Sequence, residues 1–301
     1  MLQIFRPINL FILILSQTFV SIFLLDIPIQ FPNLIPYVLL AISSLCLTAG
    51  AYVVNDLYDQ TIDQINKPNK TIIGKKLSAK NAWRIYAILS AISLVVSGLL
   101  GVELLILHTI SGILLYLYSV YFKKIALLGN FLVAFLSALG AILPYFVFAN
   151  FTSFFRAEFS QINYHAFYFL CIYSFLFSFI REILKDVEDI EGDKVGNCHT
   201  FPILFGIANT KKLVTFLCIV VTICNIFYRT TINQTLTEST APTEYLYYLQ
   251  IYLLFVMLVS STLAVLMWKI EKPKEFRYLS LLCKILLLSG VLAIPYIAYL
   301  P

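Results

Sequence analysis

Charge is what this chain has least of. Asp, Glu, Lys and Arg make up only 12% of its 301 residues, against about a quarter in an ordinary soluble domain. With 60% hydrophobic residues and a mean hydropathy of +0.88, the composition excludes a soluble globular protein and requires a membrane one. Paired cysteines are missing too. Cys46, Cys171, Cys198, Cys218, Cys224 and Cys283 are scattered and form no C-x-x-C pair, which excludes a disulfide framework and a zinc site. Ten-residue alternating segments are absent, which excludes a transmembrane barrel. No cleavable leader is expected, because the first apolar run follows Arg6 directly and lacks a small-residue cleavage site.

What the chain has instead is apolar runs of spanning length, near 8–26, 34–54, 84–102, 104–121, 126–149, 164–181, 211–228, 246–268 and 278–300. About 20 residues cross the hydrocarbon layer, so the expectation is an all-α bundle of nine transmembrane helices. With nine spans, one side collects Arg6, then Lys67, Lys70, Lys75, Lys76, Lys80 and Arg84, then Lys123 and Lys124. It also collects Arg181, Lys185, Lys194, Lys211 and Lys212, and finally Lys269, Lys272, Lys274 and Arg277. The other side holds only Arg156 and Arg229, and Lys284 lies inside the last span, two turns in, where it is expected to snorkel to the interface. Positive charge marks the cytoplasmic side, so the N-terminus is expected there. The net charge of +5 belongs to this bias, and no nucleic-acid partner is implied. NFT at Asn150 and NQT at Asn233 read as ordinary loop residues.

Against this background two acidic triplets stand out. Asp56, Asp59 and Asp63 in NDLYDQTID, and Asp186, Asp189 and Asp193 in KDVEDIEGD, share the spacing D-x-x-D-x-x-x-D. On one helix such positions fall within roughly 60° of arc and span about 10 Å. Pro68 is expected to end the first such helix, and Gly192 to interrupt the second before Asp193. Both triplets fall on the side that carries the lysines. Carboxylates at a bilayer edge cost several kcal/mol unless a cation meets them. Mg²⁺, bound through one or two carboxylates plus substrate phosphates, fits, and a diphosphate bridged between the two faces is the expected ligand. Asn55, four residues before Asp59, can orient a carboxylate or touch the diphosphate. Glu182, four before Asp186, either extends the acidic face or pairs with Arg181, Lys185 or Lys194.

The stretch AYVVNDLYDQTIDQINKP resembles the first signature of the UbiA-type intramembrane prenyltransferases, and REILKDVEDIEGDKVGNCHTFPILFG resembles the second. RPINL near the start and YSVYFKKIALLGN before the fifth span fit as well, so the resemblance covers nearly the whole chain, 1–301, as one domain. It implies a helical bundle around a central cavity, under a cytoplasmic cap formed by the two motif loops. It further implies Mg²⁺-dependent transfer of a polyprenyl group from a prenyl diphosphate to a lipid or aromatic acceptor, through an allylic carbocation. In family members a Tyr followed shortly by Lys contacts the diphosphate after the fourth span. Here Tyr118 and Lys123 are five apart, with Tyr121 and Lys124 as neighbours. Lys70 stands where an Arg is usual.

By this resemblance all six aspartates hold metal, and Asn55, Lys70, Tyr118, Lys123, Arg181 and Lys185 assist the diphosphate. Asn9 touches the acceptor or bonds a neighbouring helix, and His199 is a base or a surface residue. Within the family the chain looks most like the geranylgeranylglycerol-phosphate geranylgeranyltransferase branch, which makes an ether at a glycerol hydroxyl. The alternatives are an aromatic-acid prenyltransferase of quinone synthesis and, from another class, a cation-coupled transporter.

Overall fold

Hydrocarbon offers no partner to a backbone N–H or C=O, so a spanning segment must satisfy its own hydrogen bonds as a helix. The computed structural model follows this rule. It describes residues 2–69, 71–148, 161–236 and 243–298. Lys70, Asn150 and Arg156 lie outside the described residues, as does the side chain of Asn233.

Among the described residues nine helices are long and apolar enough to cross a membrane. They are α1 (Pro7–Phe19, prolonged by a π-turn over Val20–Leu24), α2 (Leu34–Tyr58), α4 (Ala79–Leu100), α5 (Val102–Val120) and α6 (Leu128–Phe148). The other four are α7 (Gln161–Glu188), α9 (Phe201–Leu236), α10 (Thr243–Lys269) and α11 (Phe276–Ala298). Two short helices, α3 (Gln60–Asn66) and α8 (Ile190–Val195), complete the set. The chain is therefore an all-α, multi-pass integral membrane protein.

Helix boundaries differ from the sequence expectation in physically informative ways. Spans three and four are separated by a single residue, Gly101 at φ 150°, a conformation that favours glycine. Helix α9 begins ten residues earlier than the apolar run suggests and is kinked at Gly206, φ 80°. Hydropathy misses this first stretch because Asn209, Lys211 and Lys212 dilute it.

The largest buried cluster joins the end of α1 with α6, α7, α9, α10 and α11 through residues such as Tyr145, Phe177, Leu217, Leu253 and Leu286. A second cluster, Ile4, Val53, Leu57, Ile73 and Ala82, pins the N-terminal turn and the α3–α4 link onto α2 and α4. The outer surface is apolar as lipid contact demands: Val95, Leu99 and Leu258 are all about two-thirds exposed (65%, 71% and 67%). Helix directions put both triplets, α3 and α8 at one end of the bundle, and α3 packs on α8 there.

Candidate active site

The two triplets do not lie on single helices as their spacing implies. Asp56 occupies the last turn of α2 and Asp63 lies on α3, and the chain breaks between them at Asp59, φ −93° and ψ 7°. The second triplet repeats the arrangement. Asp186 is on α7, Asp193 on α8, and the break falls at Asp189, φ −95° and ψ 7°. Gly192 is thus not the interruption; it lies inside α8. A backbone hydrogen bond flanks each break on either side. Asp59 N–H donates to Asn55 O at 3.0 Å and Asp63 N–H to Asp59 O at 2.7 Å, while Asp189 N–H donates to Lys185 O at 2.8 Å and Asp193 N–H to Asp189 O at 3.1 Å.

Each upper carboxylate has a specific partner. Arg6 Nη2 reaches Asp56 at 2.9 Å and lies over the Tyr52 ring at 4.5 Å. Asp59 is held by Lys123 Nζ at 2.5 Å and by Asn55 Nδ2 at 2.7 Å. Asn130 Nδ2 donates to Asp186 at 2.8 Å. Lys67 Nζ crosses from the first motif to Asp189 of the second at 2.8 Å. Burial alone would lower the Lys67 ammonium, but Asp189 more than compensates and holds it above its usual value.

Asp63 and Asp193 have no ion pair among the described residues. Burial, then the charge of Asp59, pushes Asp63 up to about 6. Burial, then Asp189 and Asp59, pushes Asp193 up to about 7. These two carboxylates are where additional positive charge would be most stabilising.

The motif loops are joined by a contact the sequence does not advertise. Asn66 Nδ2 donates to Asp189 O at 2.9 Å, and Asn66 Oδ1 accepts the Gly192 N–H at 2.9 Å. A nearby bridge adds the α5–α6 link: His199 N–H donates to Lys124 O at 2.8 Å. His199 itself is exposed.

Below the carboxylates a cavity of ≈ 230 Å³ runs between α1, α2, α5, α6, α7 and α11. Asn9 lines the cavity and donates to Tyr52 Oη at 3.1 Å, which is the bond to a neighbouring helix that the sequence allows. Tyr118 lies within electrostatic reach of Glu182, Asp59 and Asp186, between the two motifs. Glu182 is buried and paired with Arg181 and with Lys185, the latter at 2.8 Å. Arg181 lines the cavity with Glu182, and Lys284 lines it as well, so Lys284 does not snorkel to the interface. Deeper, Leu13, Leu47, Leu115, Leu136 and Leu139 make the wall apolar, interrupted by Ser16, Ser44, Ser111 and His108.

The donor set fits magnesium. It consists of carboxylate and amide oxygens, and Asn55 Oδ1 is buried without a partner while its Nδ2 holds Asp59. Among the described residues no three His, Cys, Asp or Glu side chains close into a cage.

Sequence reasoning missed Arg6, Asn66, Lys67 and Asn130, none of which shares a local pattern with the aspartate it contacts. Only their presence in or beside RPINL, INKP and LLGN could have marked them.

The profile of the UbiA prenyltransferase family matches residues 14–282. The digeranylgeranylglyceryl phosphate synthase of Methanosphaera stadtmanae is 35% identical over 176 residues, 58% of this chain and 59% of that protein. The synthase of the same name from Methanobrevibacter smithii is 33% identical over 211 residues, 68% of each chain. The chain thus spans well under two-thirds of the length of the first of these relatives. A UbiA homolog from Archaeoglobus fulgidus, solved bound to GPP and Mg²⁺, superposes with a TM-score of 0.64 at 18% identity over 98% of each chain. A digeranylgeranylglyceryl phosphate synthase structure gives 0.63 at 23% identity over 98% of this chain and 97% of that one. At these identities the structures establish a common fold.

Proposed function

The chain belongs to the UbiA prenyltransferase family, and from that premise we propose that it transfers a polyprenyl group from a prenyl diphosphate to the hydroxyl of a glyceryl phosphate lipid. The observation that carries this reading is the joining of two like-bent aspartate motifs over one membrane-embedded cavity, through Asn66 and the Lys67–Asp189 pair. A transporter reading would want its carboxylates in mid-span, and these stand at helix ends. Residues 1–301 are taken as one domain, with its N-terminus and motif end on the cytoplasmic side, as the basic residues direct.

In this reading Asp56, Asp59, Asp63, Asp186, Asp189 and Asp193 are the metal-holding set. Bound Mg²⁺ would supply neutralising charge to the departing diphosphate. The rest is done by the chain. Asn55 and Lys123 fix the Asp59 carboxylate, Arg6 fixes Asp56 and Asn130 fixes Asp186. Lys123 and Lys67, with Lys70 in the same loop, give the motif end cationic groups for phosphate oxygens. Lys185 adds a further charge beside Glu182, and Tyr118 stands between the motifs. The prenyl tail descends along the leucine-lined wall, away from water that would hydrolyse an allylic cation.

The glyceryl phosphate acceptor follows from the names of the two curated relatives. The test supplies the protein in nanodiscs with labelled geranylgeranyl diphosphate, Mg²⁺, and a panel of geranylgeranylglyceryl phosphate and aromatic acids. Ether formation on the glyceryl lipid, abolished in Asp56→Asn and Asp186→Asn, is the expected outcome. Undiminished transfer in both variants overturns the site assignment, and transfer to an aromatic acid alone overturns the acceptor.

A further inference from the structure

A lysine inside a membrane span is costly unless something anionic meets it. Lys284 stands eight residues into α11, ~12 Å from its motif end at 1.5 Å per residue. It is half-buried, lines the cavity, and makes no hydrogen bond or ion pair among the described residues. The charged groups that act on it are Arg181 and Arg6, both cations. Arg181 lies on α7, which packs along α11, and lines the same cavity. It sits five residues below Asp186, ~7.5 Å deeper along the helix.

Among the described residues the buried carboxylate at this level is Glu182, and it is shared between Arg181 and Lys185. Arg181 and Lys284 face the cavity with the single carboxylate of Glu182, which Lys185 also engages from nearer the aspartates, so this wall carries a net positive charge. This is a poor lining for a hydrocarbon tail and a good one for an anion.

We infer that Lys284 and Arg181 form a second anion subsite, about one and a half turns below the aspartates, that seats the phosphate of the lipid acceptor. A phosphate monoester carries about −1.5 to −2 charges at neutral pH, which matches the unpaired Lys284 beside the Glu182-paired Arg181 better than a carboxylate does. The donor's diphosphate is held above by carboxylates that would repel a metal-free phosphate. A short glyceryl spacer then brings the acceptor hydroxyl up toward the first carbon of the donor. This assignment rests on the proposed prenyl transfer to a glyceryl phosphate lipid, and it gives Arg181 to the acceptor instead of the donor.

The experiment measures binding and turnover separately. Purified protein in nanodiscs is titrated with an alkylglycerol phosphate, the matching alkylglycerol, and inorganic phosphate, in wild type, Lys284→Met and Lys284→Arg. Wild type is expected to bind the alkylglycerol phosphate at least tenfold tighter than either fragment. Lys284→Met loses that margin, Lys284→Arg restores most of it, and acceptor-free binding of prenyl diphosphate stays within twofold. In turnover, Lys284→Met raises KM for the acceptor at least tenfold with KM for the donor little changed.

Equal binding of the alkylglycerol phosphate by wild type and Lys284→Met overturns the subsite. So does an equal loss of prenyl diphosphate binding, which would return the pair to the donor, and so does a wild-type preference for an aromatic carboxylate. Lysine-dependent binding with no transfer from any donor upholds the subsite and sinks the proposed function. Transfer that is indifferent to Lys284 does the reverse.

Discussion

Asn66 and Gly192 meet where a β-carbon does not fit. The Asn66 amide accepts the Gly192 N–H at 2.9 Å, and a Cβ on Gly192 would lie 2.4 Å from Asn66 Nδ2. That amide cannot swing aside freely, because it also donates to Asp189 O. Gly192→Ala is therefore expected to push α3 from α8, at a cost of about 1–3 kcal/mol, and to lower prenyl transfer at least tenfold. Asn66→Ala loses both hydrogen bonds and should match it. Melting temperature and initial rate check both, and a wild-type rate in Gly192→Ala would contradict the cap docking.

Among the described residues Asn130 is the side-chain donor to Asp186, and it is itself buried. Removing it leaves a buried acceptor unsatisfied, worth about 1–3 kcal/mol. Asn130→Ala should reduce transfer about tenfold or more. Asn130→Asp, similar in shape but bringing like charge to Asp186, should be worse than alanine. An aspartate variant more active than the alanine one would contradict the pairing.

Among the described residues Lys123 and Asp59 form the most enclosed ion pair, with side chains 10% and 16% exposed. Breaking such a pair from one side costs about 3–5 kcal/mol, since the other charge stays behind. Lys123→Met is expected to destabilise by roughly that amount and to raise the donor KM. Adding Asp59→Asn should recover much of the stability but none of the activity. A double-mutant cycle on thermal unfolding reads the coupling, and strict additivity would contradict it.

Asp63 at about 6 and Asp193 at about 7 are carboxyls that hold their protons longer than in an unfolded chain. The sign follows from linkage. The folded protein without metal keeps protons that the unfolded chain has released, so the stability these two groups contribute is full below about pH 4 and is lost as pH rises through about 6 to 7. Magnesium selects the ionised form, so its binding at about pH 6 should release protons and at about pH 8.5 almost none. Calorimetry at pH 6 in two buffers of different ionisation enthalpy measures the release; identical heats in both would rule it out.

The sequence makes the spans, the two triplets and the Asn55–Asp59 register readable, because each depends on residues at most a turn or two apart. Nine apolar runs and their basic flanks mark the same nine helices that the structure contains among the described residues. What stays hidden depends on contacts across the fold. Arg6 reaches Asp56 over 50 positions, Asn130 reaches Asp186 over 56, and Asn66 reaches Asp189 over 123. Periodicity carries no information about such pairs. The breaks at Asp59 and Asp189 were equally hidden, since neither glycine nor proline marks them. Lys284 follows the same rule: its depth in α11 is legible, but whether that face meets lipid or cavity is decided by α7.

Both middle aspartates turn the chain at nearly the same angle, each with its N–H bonded back to the helix before it and its C=O bonded to the helix after it. Such a corner is stiff. A flexible loop could bring three carboxylates together only by giving up conformational freedom each time a ligand arrived. Here that ordering is complete once the helices are docked, so the full interaction energy with an incoming cation goes into affinity. The same corner used twice also means that two similar phosphoryl groups are met by two similar frames. A molecule with one such group, or with two set further apart, finds no matching pair.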